Sequence, residues 1–136
     1  MRFLKITAPA VLAVFALAFA YCESNPYREG ERLYKFHCSN CHLDDGKGLG
    51  ALIPPIAGAS DFLDANRERL PCILKYGLKD TIEVKGVRYA EAMPGVPTLS
   101  AIQITNILNF IHHTWGDGLP PYRLDEVEHL LSECPK

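Results

Sequence analysis

Methionine is almost missing from this chain of 136 residues: Met1 opens it, and Met93 is the other. Positive charge is also in short supply. There are 14 Lys and Arg against 16 Asp and Glu, a formal net charge of −2. Without the first twenty residues, which hold Arg2 and Lys5 and no acid, 12 cations face 16 anions and the net is −4. That balance argues against binding nucleic acid or an anionic membrane surface. Internal repeats and low-complexity segments are absent. The longest apolar run, Ala8 to Phe19, is too short for a stable membrane span. With 48% hydrophobic residues, the chain has material for one domain with a real core.

The apolar run has the length of a signal h-region, and Arg2 and Lys5 charge its start, so residues 1–20 read as an export signal. Its end allows two readings. Ala18-Phe19-Ala20 fits the small-x-small rule for cleavage after Ala20, which would release a soluble chain. Alternatively, Cys22 is the lipid-bearing first residue of a bacterial lipoprotein, although Tyr21 stands where a small residue belongs. Either reading exports the chain to the periplasmic side, an oxidising compartment.

Two of the five cysteines lie in Cys38-Ser39-Asn40-Cys41-His42. Two thiols separated by two residues, with histidine directly after the second, form the attachment sequence for a c-type haem. Each thiol can make a thioether to a porphyrin vinyl group, and His42 is then held at the iron as its proximal imidazole. A zinc knuckle would need a second ligand pair at similar spacing, and none follows. A thioredoxin-like dithiol would need a βαβ pattern around it, which is missing too. Cys22, Cys72 and Cys134 remain. Lipid on Cys22 and a Cys72–Cys134 bridge would use all three. Such a bridge would close a loop of about 60 residues and add ~4 kcal/mol in the chain-entropy model; unpaired, the two would be buried thiols.

The rest reads as helices separated by proline-marked loops. Asn25-Pro26 starts a helix from about Tyr27 to His37, with Pro26 at its first position. Gly30 inside it suggests close approach of another helix. The stretch from Asp44 to Gly50 is rich in glycine but lacks P-loop spacing, and a wrap around the haem edge suits it better. Pro54-Pro55 fixes an extended backbone, and a carbonyl there is expected to accept the second imidazole N–H of His42. A short helix follows over 61–66, and another is opened by Pro71 and closed by Gly77. Thr81–Val84 and Val87–Tyr89 flank Lys85-Gly86 as a small hairpin that must lean on something, with the haem as the expected support. Ser100 and Gln103 form a capping box, and Ile104, Ile107, Leu108, Ile111 and Trp115 make a core-facing stripe ended by Gly116. After Pro120-Pro121, Asp125 with Glu128 is expected to cap a tail helix that turns Val127, Leu130, Leu131 and Cys134 to one side.

Met93-Pro94 reads as a loop downstream of the haem motif. A thioether sulfur favours ferrous iron and raises the reduction potential relative to a second histidine. Methionine more often fills cores than binds metal. As the one methionine left after the signal, however, Met93 is the expected sixth ligand. His112, His113 and His129 compete for that place, and His37 lies too near the thioether-bonded segment to cross the porphyrin.

In their order these features resemble the class I monohaem cytochromes c, bacterial and exported members of the cytochrome c family. The features are Gly30 and Tyr34, then Cys38 to His42, Pro54-Pro55, Met93-Pro94, and a helix carrying Asn109-Phe110-Ile111 and ending at Trp115-Gly116. The resemblance covers roughly residues 27–116. It implies a mainly α fold of about four to five helices wrapped round one haem c held by Cys38 and Cys41. A small hairpin would precede the axial Met93, and a C-terminal extra helix would follow. It implies Gly30 crossing the last long helix near Phe110, His42 and Met93 as iron ligands, and a Pro54 or Pro55 carbonyl facing His42, with Pro55 taken as the cofactor-binding one. Bundle cytochromes carry CxxCH near the C-terminus and are disfavoured. The implied layout is a signal over 1–20, a linker over 21–26, the haem domain over 27–116 and an extension over 117–136 that exceeds the minimal fold. The implied function is electron transfer, without catalysis, between membrane or periplasmic oxidoreductases by a monomer that is free or tethered through Cys22. The competing classes are a haem enzyme or gas sensor with a labile sixth ligand, and a haem subunit of a larger redox complex.

Overall fold

The computed structural model describes residues 25–135; the segment 1–20 expected to be an export signal, and Cys22, lie outside them. Helix α1 runs over Arg28–His37 and begins one step later than the proline suggested. Pro26 sits in the turn before it, and Asn25 organises the start. Its Oδ1 accepts the Tyr27 N–H at 2.9 Å and its Nδ2 donates to Glu31 at 3.0 Å. A single helical turn, α2, covers Ser39–His42. Then come α3 (Ser60–Ala65), α4 (Leu70–Tyr76), the long α5 (Ala101–Trp115) and α6 (Leu124–Ser132). The fold is mainly helical, with six helices among the described residues.

Helices α1 and α5 cross tightly. A Cβ on Gly30 would collide with the Asn106 carbonyl oxygen and lie 2.7 Å from Phe110 Cβ, so only glycine permits this approach. Leu33 and Tyr34 of α1 are buried against Ile104, Ile107, Leu108 and Phe110 of α5. The stripe expected on α5 is therefore its core face, with Trp115 half-exposed at the end. The capping box is present: Gln103 N–H donates to Ser100 Oγ, and Ser100 N–H donates to Gln103 Oε1.

Among the described residues, four short strands form two antiparallel ladders. Strands β2 (Ile82–Val84) and β3 (Val87–Tyr89) are the expected hairpin. Its turn uses Lys85 at φ 53° and Gly86 at φ 76°, the paired positive angles that suit the right-handed twist of a two-residue connection. Val84 and Tyr89 pack on Ala59 and Phe62, so the hairpin leans on α3. The other ladder had no signal in the sequence: β1 (Gly77–Leu78) pairs with β4 (Met93–Pro94), setting Leu78 opposite Met93. Met93 is thus in a strand, and the loop expected there is corrected.

The tail is fastened at several points. Cys72 in α4 and Cys134 beyond α6 form a disulfide with Cα atoms 5.6 Å apart. Val127 is fully buried. Arg67 donates to Glu126, Pro120 and Pro121 oxygens and lies 4.0 Å above the Tyr122 ring. The cap of α6 is corrected too: Arg123 is the N-cap, and Glu126, three residues on, accepts its N–H, while Asp125 and Glu128 play no such part. Arginine has no acceptor atom, so only this half of a capping box can form.

Candidate functional site

Cys38 ends α1 and begins α2, and the single turn that follows sets Cys41 and His42 with Cys38 in the wall of one hollow. Tyr34 fixes the exit of this turn. Its hydroxyl donates to the Leu43 carbonyl at 2.8 Å, and burial raises its pKa, so it stays a donor. His42 is buried, with Nδ1 3.2 Å from the Pro54 carbonyl oxygen. An imidazole that gives its Nδ1 proton to a carbonyl leaves the Nε2 lone pair for a metal. Burial lowers the His42 pKa, and the Pro54 contact offsets only part of this, so the neutral, ligating form is favoured. The sequence offered either the Pro54 or the Pro55 carbonyl for His42. The partner of His42 is Pro54, and Pro55 lines the adjoining apolar wall.

The loop before Pro54 explains why its carbonyl faces inward. Gly48 sits at φ 68°, and a Cβ there would lie 2.6 Å from the Pro54 oxygen. Gly48 N–H donates to the His42 carbonyl at 3.1 Å, and Leu49 N–H donates to the Ile53 carbonyl at 3.0 Å. The loop thereby closes on the His42 turn. The sequence showed the glycines but gave no sign of which one would touch Pro54.

Two adjoining hollows of about 600 and 1100 Å³, both open to solvent, share His42, Pro54, Leu74, Leu78, Ile82 and Met93 in their walls. Cys38 and Cys41 line the larger hollow, and the smaller continues between Phe62, Leu63, Ile73 and Leu108. The walls are overwhelmingly apolar. Cys41 is exposed and Cys38 half-buried, and neither is in a disulfide. Burial pushes the Cys38 thiol up to about 12, with Cys41 adding to the effect. A thiol so held is a poor nucleophile.

The rival histidines are elsewhere. His112 is buried with Nδ1 3.0 Å from the Pro120 oxygen and its ring against Tyr122. His113 stacks near Tyr27, and His129 lies 3.7 Å from Glu133 on α6. None of the three lines either hollow, whereas Met93 lines both and His37 the larger. Phe110 and Trp115 pack on Tyr34, away from the hollows. Among the described residues, no three His, Cys, Asp or Glu side chains come together to hold a metal ion. The His42 imidazole and the Met93 thioether line both hollows, and the two thiols, His37 and Glu91 line the larger. An imidazole and a thioether beside two thiols in an apolar slot suit a porphyrin iron, whereas the clustered His, Cys or acidic donors that zinc needs do not converge among the described residues.

A model of the family described as cytochrome c matches residues 27–115. The chain belongs to the cytochrome c family. Covalently attached haem c comes with that membership, and electron transfer through the haem is the family's general role. A cytochrome c-552 of Thermus thermophilus is 34% identical over 138 residues, spanning 96% of this chain and 88% of that protein. A second Thermus thermophilus cytochrome c-552 is 36% identical over 113 residues, 77% of this chain and 86% of the relative. The cytochrome c subunit of a quinone alcohol dehydrogenase from Gluconacetobacter polyoxogenes is 34% identical over 94 residues, 67% of this chain but 19% of that subunit. Among the described residues of this cytochrome, no helix is long and apolar enough to cross a membrane.

Proposed function

We propose that this cytochrome is an exported electron carrier whose haem c is fastened through Cys38 and Cys41 and whose iron is held by His42 and Met93. Haem c supplies one-electron exchange between ferric and ferrous iron. The chain's own residues do the rest. Cys38 and Cys41 fix the group to the His42 turn. The Pro54 carbonyl orients the His42 ring and raises its basicity, which favours Nε2 as donor. Met93 offers a soft sulfur that favours the ferrous state. Leu74, Leu78 and Ile82 give the slot an apolar wall, which also favours the less charged, reduced form.

One observation carries this reading: His42, with only Nε2 left free, and the lone downstream methionine line the same apolar slot. The export signal over 1–20 supports work outside the cytoplasmic membrane, with membrane or periplasmic oxidoreductases as partners and Cys22 as a lipid tether or free end. The family match ends at residue 115, which supports reading 117–136 as an appendage to a haem domain over 27–116. The test is Met93→Ala in protein matured with its haem. The variant is expected to lose the low-spin ferric spectrum and to bind carbon monoxide when reduced. An unchanged low-spin spectrum that still refuses carbon monoxide overturns Met93 as ligand.

A second reading, a haem subunit of a larger redox complex, draws on the relatives named as cytochrome subunits of quinone alcohol dehydrogenases. Purification from native membranes separates the two. A carrier leaves alone, and a subunit leaves with stoichiometric partners.

A further inference from the structure

Helix α4 is attached to different parts of the chain at its two ends. At its start, Cys72 is bonded to Cys134, which ties it to the end of α6. At its end it grips the segment that carries Met93. Val96 N–H donates to the Leu74 carbonyl at 2.9 Å, and Lys75 Nζ donates to the Leu99 carbonyl at 2.6 Å. Directly after α4, Gly77 and Leu78 pair with Pro94 and Met93. The fit there is tight: a Cβ on Gly95 would lie 2.7 Å from the Lys75 oxygen and closer still to Gly77 N, so backbone meets backbone. In α6, Val127 is fully buried, and Arg67 clamps Glu126 from the loop just before α4. The tail, α4 and the Met93 strand therefore form one mechanically continuous path.

We infer that the C-terminal helix, acting through the Cys72–Cys134 bridge and α4, positions Met93 and limits how often its sulfur leaves the iron. This inference rests on Met93 as ligand. Cys72 and Cys134 are positioning residues in this account, since neither lines the slot. If the tail only covered the outer face of α4, its loss would lower stability and leave the sulfur where it is. If it positions Met93, its release lets the β1–β4 ladder open more often. That ladder holds two residue pairs, so it has little rigidity of its own.

Carbon monoxide can reach ferrous iron only while Met93 is away, so its binding rate counts those openings. The experiment compares holoprotein of wild type, Cys72→Ser/Cys134→Ser and Met93→Ala, all reduced and at a temperature where circular dichroism shows each folded. Met93→Ala sets the upper limit of the rate. The double serine variant is expected to bind carbon monoxide about tenfold faster than wild type, within the range found for groups coupled through a shared network. A serine variant that melts lower but binds at the wild-type rate overturns the inference, because the bridge is then only a brace. A Met93→Ala protein that behaves as wild type removes the ligand reading itself, a separately visible failure. Should the serine variant fail to fold, wild-type holoprotein is treated with a phosphine, which opens disulfides and leaves thioethers intact. A gain of two hydrogens by mass with an accelerated rate supports the inference, and the same gain with an unchanged rate overturns it.

Discussion

Replacing Gly30 by alanine tests the packing that places the haem motif, and the two effects at work have opposite signs. In an open helix, alanine is better than glycine by about 1 kcal/mol. At this crossing the new methyl would lie 2.7 Å from Phe110 Cβ and would overlap the Asn106 carbonyl oxygen. Neither obstacle is the end of a flexible side chain. The axes of α1 and α5 must therefore part by about 1 Å, loosening Leu33 and Tyr34 from Ile107 and Phe110. Overpacking of this kind costs roughly 1–3 kcal/mol, and an immovable backbone points to the upper end. The net expectation is a loss of about 2 kcal/mol. For a domain of this size that corresponds to a fall in Tm of about 8 °C. The assay is guanidinium and thermal unfolding of the holoprotein, followed in the far ultraviolet, with the m-value checked for constancy. A Gly30→Ala protein more stable than wild type would show propensity acting alone and would refute the close crossing.

Arg67→Ala is expected to cost about 2 kcal/mol, because it strips a half-buried ion pair, two carbonyl contacts and a stacked ring together. Arg32→Ala breaks an exposed, solvent-screened pair with Glu29 and is expected to leave stability almost unchanged, so denaturant midpoints should rank the two clearly. The pH dependence of stability follows from His112. Burial first, then the Arg67 charge, lower its pKa against the opposing pull of the Pro120 carbonyl, Asp64 and Glu126. The unfolded chain therefore binds this proton at a higher pH than the native one. The contribution is fully present above the ordinary histidine pKa of about 6.5 and is lost as pH falls from there to the lowered value. Its slope is about 1.4 kcal/mol per pH unit for one proton. His112→Phe should flatten urea-unfolding free energies in that window, and an unaltered slope would contradict the assignment.

How much of this was legible in the sequence depended on how local each signal was. Cys38 to His42 spans five residues, and its chemistry needs no distant partner. The capping box at Ser100 and the turn at Lys85-Gly86 are equally self-contained. The disulfide could be anticipated from cysteine arithmetic, since compartment and count constrain the pairing even when the fold is unknown. Contacts between distant segments were not legible. Two-residue strands carry no periodicity, so the ladder that aligns Leu78 with Met93 left no trace. Arg67 looks like any surface arginine until Pro120, Pro121 and Glu126 close around it from more than fifty residues away. The misplacements were of one kind. Pro26 for the helix start and Asp125 for the cap were each chosen by residue type, and the backbone gave each role to a residue close by. Side-chain preference acts over a few residues, whereas the final register is set by which neighbours the core can bury.

The scarcity of methionine permits the most direct test of the central claim. Labelling the methionine methyl carbon with ¹³C in haem-matured, reduced protein leaves one reporter, Met93, once Met1 has been removed with the signal. A methyl group bound to iron through its own sulfur sits over the porphyrin face, where the ring current moves its proton resonance far upfield of every ordinary aliphatic signal. The account predicts one such shifted resonance, absent from Met93→Ala. A labelled methyl at the usual methionine position in folded, reduced holoprotein would contradict it.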